Sequence, residues 1–292
     1  MNIGFHTISM LLHDEVSAVG QLAKIGFRTV ALRPRLGGLD PSESNFNERM
    51  LRFTDAARRL NLQVVYDLDA NYLHDPGVKL GPSLASCDAK TGSDARAWVQ
   101  RWIQIASEHQ CSLITFASGQ HSAATDHSAQ PEPLSLARDS GKIDQTTDED
   151  QLDALAGRLN ELIHQATDVS VRLAIRPSCG HVISSIAQYE RLRQWLSASG
   201  ELYLATDIAD MVDAQEIPLG ARLSQCGDQL ACVYMKQPRV GESELMGRVD
   251  LHQVVKSLQK WKFDGHVIFN PPGDDSDVLA TAKLAHDQAR TP

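Results

Sequence analysis

Charged side chains stand at the ends of several short apolar segments, and they are the residues of this sequence best suited to chemistry. Arg33 and Arg35 follow one such segment, Arg176 ends another, and Lys236 ends a third. Clustered guanidinium and ammonium groups recognise carboxylates and phosphates, and arginine can do so through two parallel hydrogen bonds. If the segments are neighbouring strands, this pattern predicts a site for a small anionic ligand.

Acidic side chains near the same segment ends leave a second interpretation open. Asp67, Asp69, Asp207 and Asp210 could each pair with one of the cationic groups. In that case the cations would neutralise buried carboxylates and would not bind a ligand. The sequence does not decide between the two arrangements.

Two histidines are further candidates for the site. His6 lies in the first predicted strand and is either a general base or ligand contact, or a core histidine with its hydrogen bonds satisfied. His181 follows Gly180 in a predicted loop and is either a ligand contact or merely exposed. The chain contains no glycine-rich nucleotide-binding pattern and no GxSxG nucleophile motif, so the sequence does not support nucleotide binding or serine hydrolase chemistry.

The elements that must position these residues alternate between short β-rich runs and segments with helical periodicity. This alternation predicts a parallel sheet, and eight such units in a single domain of residues 1–292 predict a (β/α)8 barrel. Side chains at the carboxyl ends of the strands then share one face, the mouth of the barrel. The predicted strands are 3–8, 29–33, 63–68, 112–118, 171–176, 202–207, 231–236 and 266–270.

Two predicted loops are much longer than the usual strand-to-helix connection. They cover residues 69–92 and 119–146 and both follow strands, so we expect them at the mouth. Loops of this length are lids, subunit contacts or disordered segments, which leaves a homo-oligomer open.

The composition of the chain predicts which classes of partner it lacks and in which compartment it works. The net charge of −9 argues against binding nucleic acid, and no apolar run approaches the roughly 20 residues that a membrane span requires. The amino terminus lacks the pattern of a signal peptide, and the five cysteines are scattered. We therefore expect a soluble, cytoplasmic protein with neither a nucleic-acid nor a membrane partner.

Four stretches resemble a known family: LAIRP at 173–177, ATDIAD at 205–210, CVYMKQP at 232–238, and the segment 247–270. They are similar to strand ends of the xylose isomerase-like TIM barrels, the sugar isomerases and epimerases related to endonuclease IV. The resemblance places that family's four metal ligands, Glu, Asp, His and Glu, at Arg176, Asp207, Tyr234 and Asn270. Of these only Asp207 is a metal ligand of the family's type, so we expect no metal and no other cofactor.

The resemblance therefore implies isomerase or epimerase chemistry without the metal. We expect Arg176 to occupy the place of the ion and to pair with Asp207. Lys236, in partly desolvated surroundings, would act as a base, Arg176 would steady an oxyanion, and His6 or Asp207 would be the second proton carrier. The substrate, a small anionic sugar or keto acid, would contact Arg33, Arg35, Asp67, Asp69, His181, Asp210, Tyr234 and Asn270.

Two other functions remain open from the sequence. Loss of most family ligands is also what a non-catalytic small-molecule-binding protein, or an inactive partner of an active relative, would show. Alternatively, a metal site could be rebuilt in the mouth from His6, Asp67, Asp69 and Asp210.

Overall fold

Eight parallel strands form a closed barrel in which each strand pairs with its neighbours in sequence order and β8 pairs with β1. The computed structural model describes residues 1–35, 38–68, 83–120, 147–197, 201–236, 249–271 and 277–290. The predicted (β/α)8 barrel is confirmed. The strands are β1 Asn2–His6, β2 Thr29–Leu32, β3 Gln63–Asp67, β4 Leu113–Phe116, β5 Arg172–Ile175, β6 Leu202–Asp207, β7 Leu230–Met235 and β8 His266–Phe269.

Helices cover the outside of the barrel and bury one apolar face each against the strands. Two short helices follow β6, where the sequence leaves no room for a longer one. The helices in the described part of the chain are α1 Glu15–Ile25, α2 Phe46–Arg59, α3 Ala89–Glu108, α4 Asp148–Asp168, α5 Ile186–Arg193, α6 Ile208–Asp213, α7 Leu219–Gln225, α8 Leu251–Lys260 and α9 Val278–Arg290. Among them no helix is both long and apolar enough to cross a bilayer.

The helix ends follow from local sequence. Asp14 caps α1 by accepting a hydrogen bond from Ser17 N, and Gly26 ends that helix with φ +113°, a conformation that favours glycine. Thr147 and Asp150 form a reciprocal capping box at the start of α4. These caps set where each connection to the mouth begins and ends.

The barrel interior is filled by a compact cluster of small and medium side chains with one tyrosine. Its buried members are Ala31, Val65, Leu113, Ala174, Ala205, Ala231, Cys232, Tyr234 and Ile268. Because side chains alternate along a strand, residues two positions beyond these point into the mouth. This register brings Arg33, Asp67, Thr115, Arg176 and Asp207 to one end of the barrel.

The predicted strands all exist; β6 matches the prediction at both ends, and no strand end differs from it by more than two residues. Arg176 and Lys236 stand one position beyond β5 and β7 and do not belong to the strands themselves. The helix α3 begins at Ala89, inside the first predicted loop, because the Asp88 side chain accepts a hydrogen bond from Thr91 N. Residues 69–82 and 121–146, which make up most of both predicted loops, lie outside the described residues.

Candidate functional site

Asp67, the last residue of β3, is the centre of the polar cluster in the mouth. Its carboxylate is fully buried, and Oδ2 accepts hydrogen bonds from His6 Nε2 at 2.9 Å and from Arg33 Nε at 3.1 Å. Arg176 Nη1 donates to the other oxygen, Oδ1, at 3.2 Å. We call these four residues, His6, Arg33, Asp67 and Arg176, the Asp67 cluster.

The charge state of Asp67 follows from these partners. Burial alone would raise the pKa of Asp67, but the guanidinium groups of Arg176 and Arg33 and the hydrogen bond with His6 hold it well below its usual value. Asp67 is therefore an anion at any physiological pH. In turn it fixes the two guanidinium groups in place.

His6 is held in one tautomer by its two hydrogen bonds. Its Nδ1 atom accepts from the backbone N–H of Ile8 at 3.0 Å and must therefore carry no proton. The proton is on Nε2, which donates to Asp67. Burial lowers the pKa of His6, so the ring is neutral. Both ring nitrogens are engaged, so this geometry favours a positioning role over the proton-carrier role considered from the sequence.

Tyr234 forms part of the floor beneath Arg176. The Arg176 guanidinium carbon lies 5.1 Å from the centre of the buried Tyr234 ring, within the range of a cation–π contact. The Tyr234 hydroxyl is 2.7 Å from Thr115 Oγ1, and burial raises its pKa well above the usual value. Tyr234 thus remains a neutral phenol whose hydroxyl is turned towards β4. Thr115 was not among the residues predicted from the sequence. The alternation of side chains along β4 from Leu113 could have placed it in the mouth.

The expected pairing of Arg176 with Asp207 is wrong. Arg176 Nη1 bonds to Asp67 instead. Asp207 accepts a hydrogen bond from Ala209 N at 2.9 Å and caps α6. Burial raises the pKa of Asp207 to about 6, against the charges of Arg176 and Lys236 and with the help of the carboxylate of Asp210. Asp207 is therefore a carboxyl group that titrates near neutral pH.

Three more predicted site residues lie around this centre. Asp210 accepts a hydrogen bond from Ser178 Oγ at 2.9 Å. Asn270 follows β8, and its Oδ1 atom is 3.3 Å from Ser9 Oγ. Lys236 is half-buried beyond β7, and its charge acts on Asp207.

Of the remaining three predicted residues, two have local contacts in the loops and one lies outside the described residues. Arg35 is half-buried in the connection after β2, where its carbonyl oxygen accepts a hydrogen bond from Gly38 N. His181 pairs with Gln120 in an isolated antiparallel bridge that joins the loops after β4 and β5. Asp69 lies outside the described residues.

The residues at the family's metal positions do not fit a divalent ion. A guanidinium stands where a carboxylate would be needed, the Tyr234 hydroxyl is turned to Thr115, and one carboxylate remains at Asp207. Of the residues considered for a rebuilt metal site, His6 and Asp67 bond to each other, and Asp67 also bonds to both guanidinium groups. Asp210 accepts a hydrogen bond from Ser178, and Asp69 lies outside the described residues. The described residues contain no group of three or more histidine, cysteine or acidic side chains arranged to hold a metal.

Comparison with solved structures finds the same fold in sugar epimerases. The 3-keto-D-glucoside 4-epimerase of E. coli is 14% identical, with TM-score 0.73 and 100% coverage of both chains. The D-psicose 3-epimerase of Clostridium cellulolyticum H10 is 14% identical, with TM-score 0.71 and coverage of 99% of this chain and 98% of that one. An L-ribulose 3-epimerase is 14% identical, with TM-score 0.70 and coverage of 99% and 95%. At these identities the likeness shows the fold alone.

The search of curated protein sequences finds no significant match. A family profile, by contrast, matches almost the whole chain. The profile of the xylose isomerase-like TIM barrels covers residues 19–290, including every strand from β2 to β8 and both Asp67 and Asp207. The chain therefore belongs to the xylose isomerase-like TIM-barrel family.

Proposed function

We propose that this protein is a sugar isomerase or epimerase that moves a proton next to the carbonyl group of a small keto sugar or keto acid without a metal ion. The observation that carries the proposal is the presence of two groups at the mouth: Asp207, a carboxyl group with a pKa of about 6, and Arg176, a guanidinium that Asp67 holds in place and whose charge acts on Asp207. The three epimerases with the same fold support it, since their names give keto sugars as substrates.

Asp207 is the proton carrier in this proposal. A general acid or base works best when its pKa lies near the working pH, and the pKa of Asp207 does. Ionised Asp207 removes the proton from the carbon next to the carbonyl, and the electron pair of that bond moves onto the carbonyl oxygen. Returning the proton to the other face of the same carbon, or to its neighbour, gives the epimer or the isomer. Lys236, half-buried and near Asp207, is the candidate for the second proton transfer.

Arg176 stabilises the charge that develops on the oxygen. Its side chain is only 5% exposed, held on one side by Asp67 and below by the Tyr234 ring. A cation that is already in position need not reorganise when the oxyanion forms, which is the main source of electrostatic catalysis. In this arrangement the guanidinium stabilises the oxyanion, the role that the resemblance to the family implies for a metal ion.

The charge of the mouth supports an anionic substrate. Among the described mouth residues, four cationic side chains outnumber three carboxyl groups. The cations are Arg33, Arg35, Arg176 and Lys236, and the carboxyl groups are Asp67, Asp207 and Asp210. Asp207 is in addition half protonated near pH 6. Arg33 is the most exposed member of the Asp67 cluster, with 20% of its side chain accessible. A carboxylate or phosphate on the substrate would meet Arg33 and Lys236. We further propose a cytoplasmic protein, alone or as a homo-oligomer, that does not bind nucleic acid, in keeping with its net charge of −9.

The test is hydrogen exchange into ketoses, keto acids and their phosphates in deuterated water, followed by mass spectrometry with and without EDTA. We expect exchange that persists in EDTA, is lost in Asp207→Asn and Arg176→Met, and survives in the control Asp213→Asn, which changes an exposed carboxylate on α6. Exchange that needs one bound metal per chain, with the metal lost in Asp207→Ala, would contradict the metal-free mechanism.

A second function, small-molecule binding without catalysis, is favoured by one observation. Both Arg33 and Arg176 bond to Asp67, so these two cations of the mouth already have a structural role. Ligand-dependent thermal stabilisation by members of the same panel, with no exchange in any of them, would support binding alone.

A further inference from the structure

A narrow crevice reaches Asp207 from outside the barrel wall. It lies between the loop after β5 and the helix α6, and its cavity of about 10 Å³ has room for roughly one water molecule. The polar side chains that line it are Ser184, Ser185, Thr206, Asp207, Asp210 and Glu216.

Thr206 supplies a polar atom inside this crevice. Its neighbours Ala205 and Asp207 face the barrel interior, so Thr206 faces outward, and only 1% of the residue is exposed. Within the described part of the chain, its Oγ1 atom has no hydrogen-bond partner. A buried hydroxyl group without a partner is unfavourable, and an ordered water is the usual way in which proteins satisfy one.

The acidic side chains of the crevice differ in how far their oxygens are already engaged. Glu216 accepts from Ile186 N on Oε1 and from Arg222 Nε on Oε2. Among the described residues, Asp207 has a hydrogen-bond partner only on Oδ1, which accepts from Ala209 N. Asp207 lines the crevice and also stands at the mouth. Asp210 likewise has one engaged oxygen, Oδ2, which accepts from Ser178 Oγ, but it is half-buried. Asp207 is therefore the buried carboxyl group next to Thr206 to which a molecule at the inner part of the crevice can bond.

The crevice also leads outward. Ser184, Ser185 and Asp210 are half-buried at its outer part, whereas Thr206 and Asp207 are buried at its inner part. A water molecule at the inner part would lie between Asp207 and the solvent behind the mouth. A substrate seated in the mouth would leave this route open.

We propose that the crevice binds one water molecule, hydrogen-bonded to Thr206 Oγ1 and to the carboxyl group of Asp207, which exchanges protons between Asp207 and solvent while the mouth is occupied. The second part rests on the proposed function. Once Asp207 has taken a proton from substrate carbon, the carboxyl group gives that proton to the water, and the water releases one of its own to solvent. The reverse transfer returns a solvent hydrogen to Asp207 and then to carbon, so no oxidant or other reactant is needed.

The water site is tested by high-resolution crystal structures of the unmodified protein, Thr206→Val and Thr206→Ser. Valine has the shape of threonine without the hydroxyl, and serine keeps the hydroxyl. We expect one ordered water within hydrogen-bond distance of residue 206 and Asp207 in the unmodified protein and in Thr206→Ser, and none in Thr206→Val. No water there in the unmodified protein, or a water that contacts Thr206 without Asp207, overturns the proposal, whatever the activity.

The relay is tested with D-fructose and D-psicose in deuterated water, by comparing deuterium gained with epimer formed. We expect the ratio of deuterium to product to fall severalfold in Thr206→Val and to recover in Thr206→Ser, while product formation itself changes less. An unchanged ratio in Thr206→Val overturns the relay. If neither sugar reacts, the proposed function fails for these sugars, and the crystal structures still decide the water site.

Discussion

Asp67 is the residue on which the polar arrangement of the mouth depends. Its buried carboxylate neutralises part of the charge of Arg33 and Arg176, and without it two guanidinium groups would repel each other in a poorly hydrated space. Removing one member of such a buried pair costs about 3 to 5 kcal/mol, because the other charge is left uncompensated.

We therefore predict strong coupling between Asp67 and Arg176 in a double-mutant cycle of stability. Asp67→Asn and Arg176→Met should each destabilise the protein, and the double variant should be about 1 to 3 kcal/mol more stable than the sum of the single losses predicts. Urea unfolding of the four proteins measures this. The exposed pair Arg58 and Asp55 on α2 is the control, and we expect coupling below about 1 kcal/mol there. Additive losses at Asp67 and Arg176 would mean that the two side chains do not interact.

A second prediction concerns the cost of keeping Asp207 buried. The pKa of Asp207 is about 6 in the folded protein against the ordinary value of 3.8, so the unfolded chain loses this proton first as the pH rises. Stability contributed by the protonated group is complete below pH 4 and is lost between pH 4 and 6, by about 3 kcal/mol in all. Asp207→Asn should therefore be more stable than the unmodified protein at pH 7 and no more stable at pH 4. Urea unfolding at both pH values checks this, with Asp213→Asn as the control; a difference independent of pH would contradict it.

Sequence reasoning located the residues of the site better than it located their bonds. Alternation along a strand tells which side chains share a face, and it correctly brought Arg176 and Asp207 to the mouth. It does not give the reach of a long side chain across the barrel. The guanidinium of Arg176 passes over the Tyr234 ring and meets Asp67 from β3, two strands away from its own.

At the scale of elements, the loops after β3, β4 and β5 are joined by a short network of hydrogen bonds donated by backbone N–H groups. Ala85 N donates to Ser118 O, Val182 N donates to Gly119 O, and Ile183 N donates to Ser118 Oγ. Gly119 is the tightest point, with φ +96°, and a Cβ atom there would lie 1.8 Å from Ser83 Oγ. This network sets where the described part of the fourth connection leaves the mouth.

We predict that Gly119→Ala is much more damaging than Gly180→Ala, a comparison that separates steric contact from backbone strain. Gly180 also has a positive φ, +77°, but nothing lies within 4 Å of the position of its Cβ. Gly180→Ala should cost about 1 to 2 kcal/mol for the left-handed conformation alone. Gly119→Ala carries that cost together with a clash against Ser83, so the melting temperature should fall further. Equal losses in the two variants would show that Ser83 moves aside without cost.

The elements themselves were largely predictable from the sequence. Each strand combines β-branched or aromatic residues with a flanking turn, and the caps of α1 and α4 stand where their residues indicate. The start of α3 was placed too late, because the Asp88 cap was not recognised in a segment of small polar residues.

At the scale of the whole molecule, buried groups with shifted pKa values lie at opposite ends of the barrel, Asp207 at the mouth and His266 at the other end. His266 begins β8 at the end away from the mouth, where its Nδ1 atom is 3.2 Å from Thr29 Oγ1. Burial, together with the charges of Arg172 and the N-terminus, lowers the pKa of His266 to about 4. The unfolded chain therefore takes up this proton near pH 6.5 and the folded protein only near pH 4.

We predict that His266 destabilises the protein in acid. Its contribution is complete above pH 6.5 and is lost as the pH falls to about 4, by roughly 3 kcal/mol. Asp207 acts in the opposite direction over much of this interval, so the effect is best measured in the Asp207→Asn background. There, His266→Gln should flatten the dependence of unfolding free energy on pH between 4 and 6.5, while the exposed His164→Gln should leave it unchanged. A slope that persists in His266→Gln would assign the acid sensitivity to other groups.

The shared carboxylate of Asp67 also limits the order in which substitutions can accumulate at this site. The resemblance to the family places a glutamate at position 176, and restoring it alone would remove one guanidinium and bring a further carboxylate next to Asp67 and Asp207. Arg33 would then face the surplus negative charge without Arg176. Building a metal site at these positions would therefore require several residues to change together.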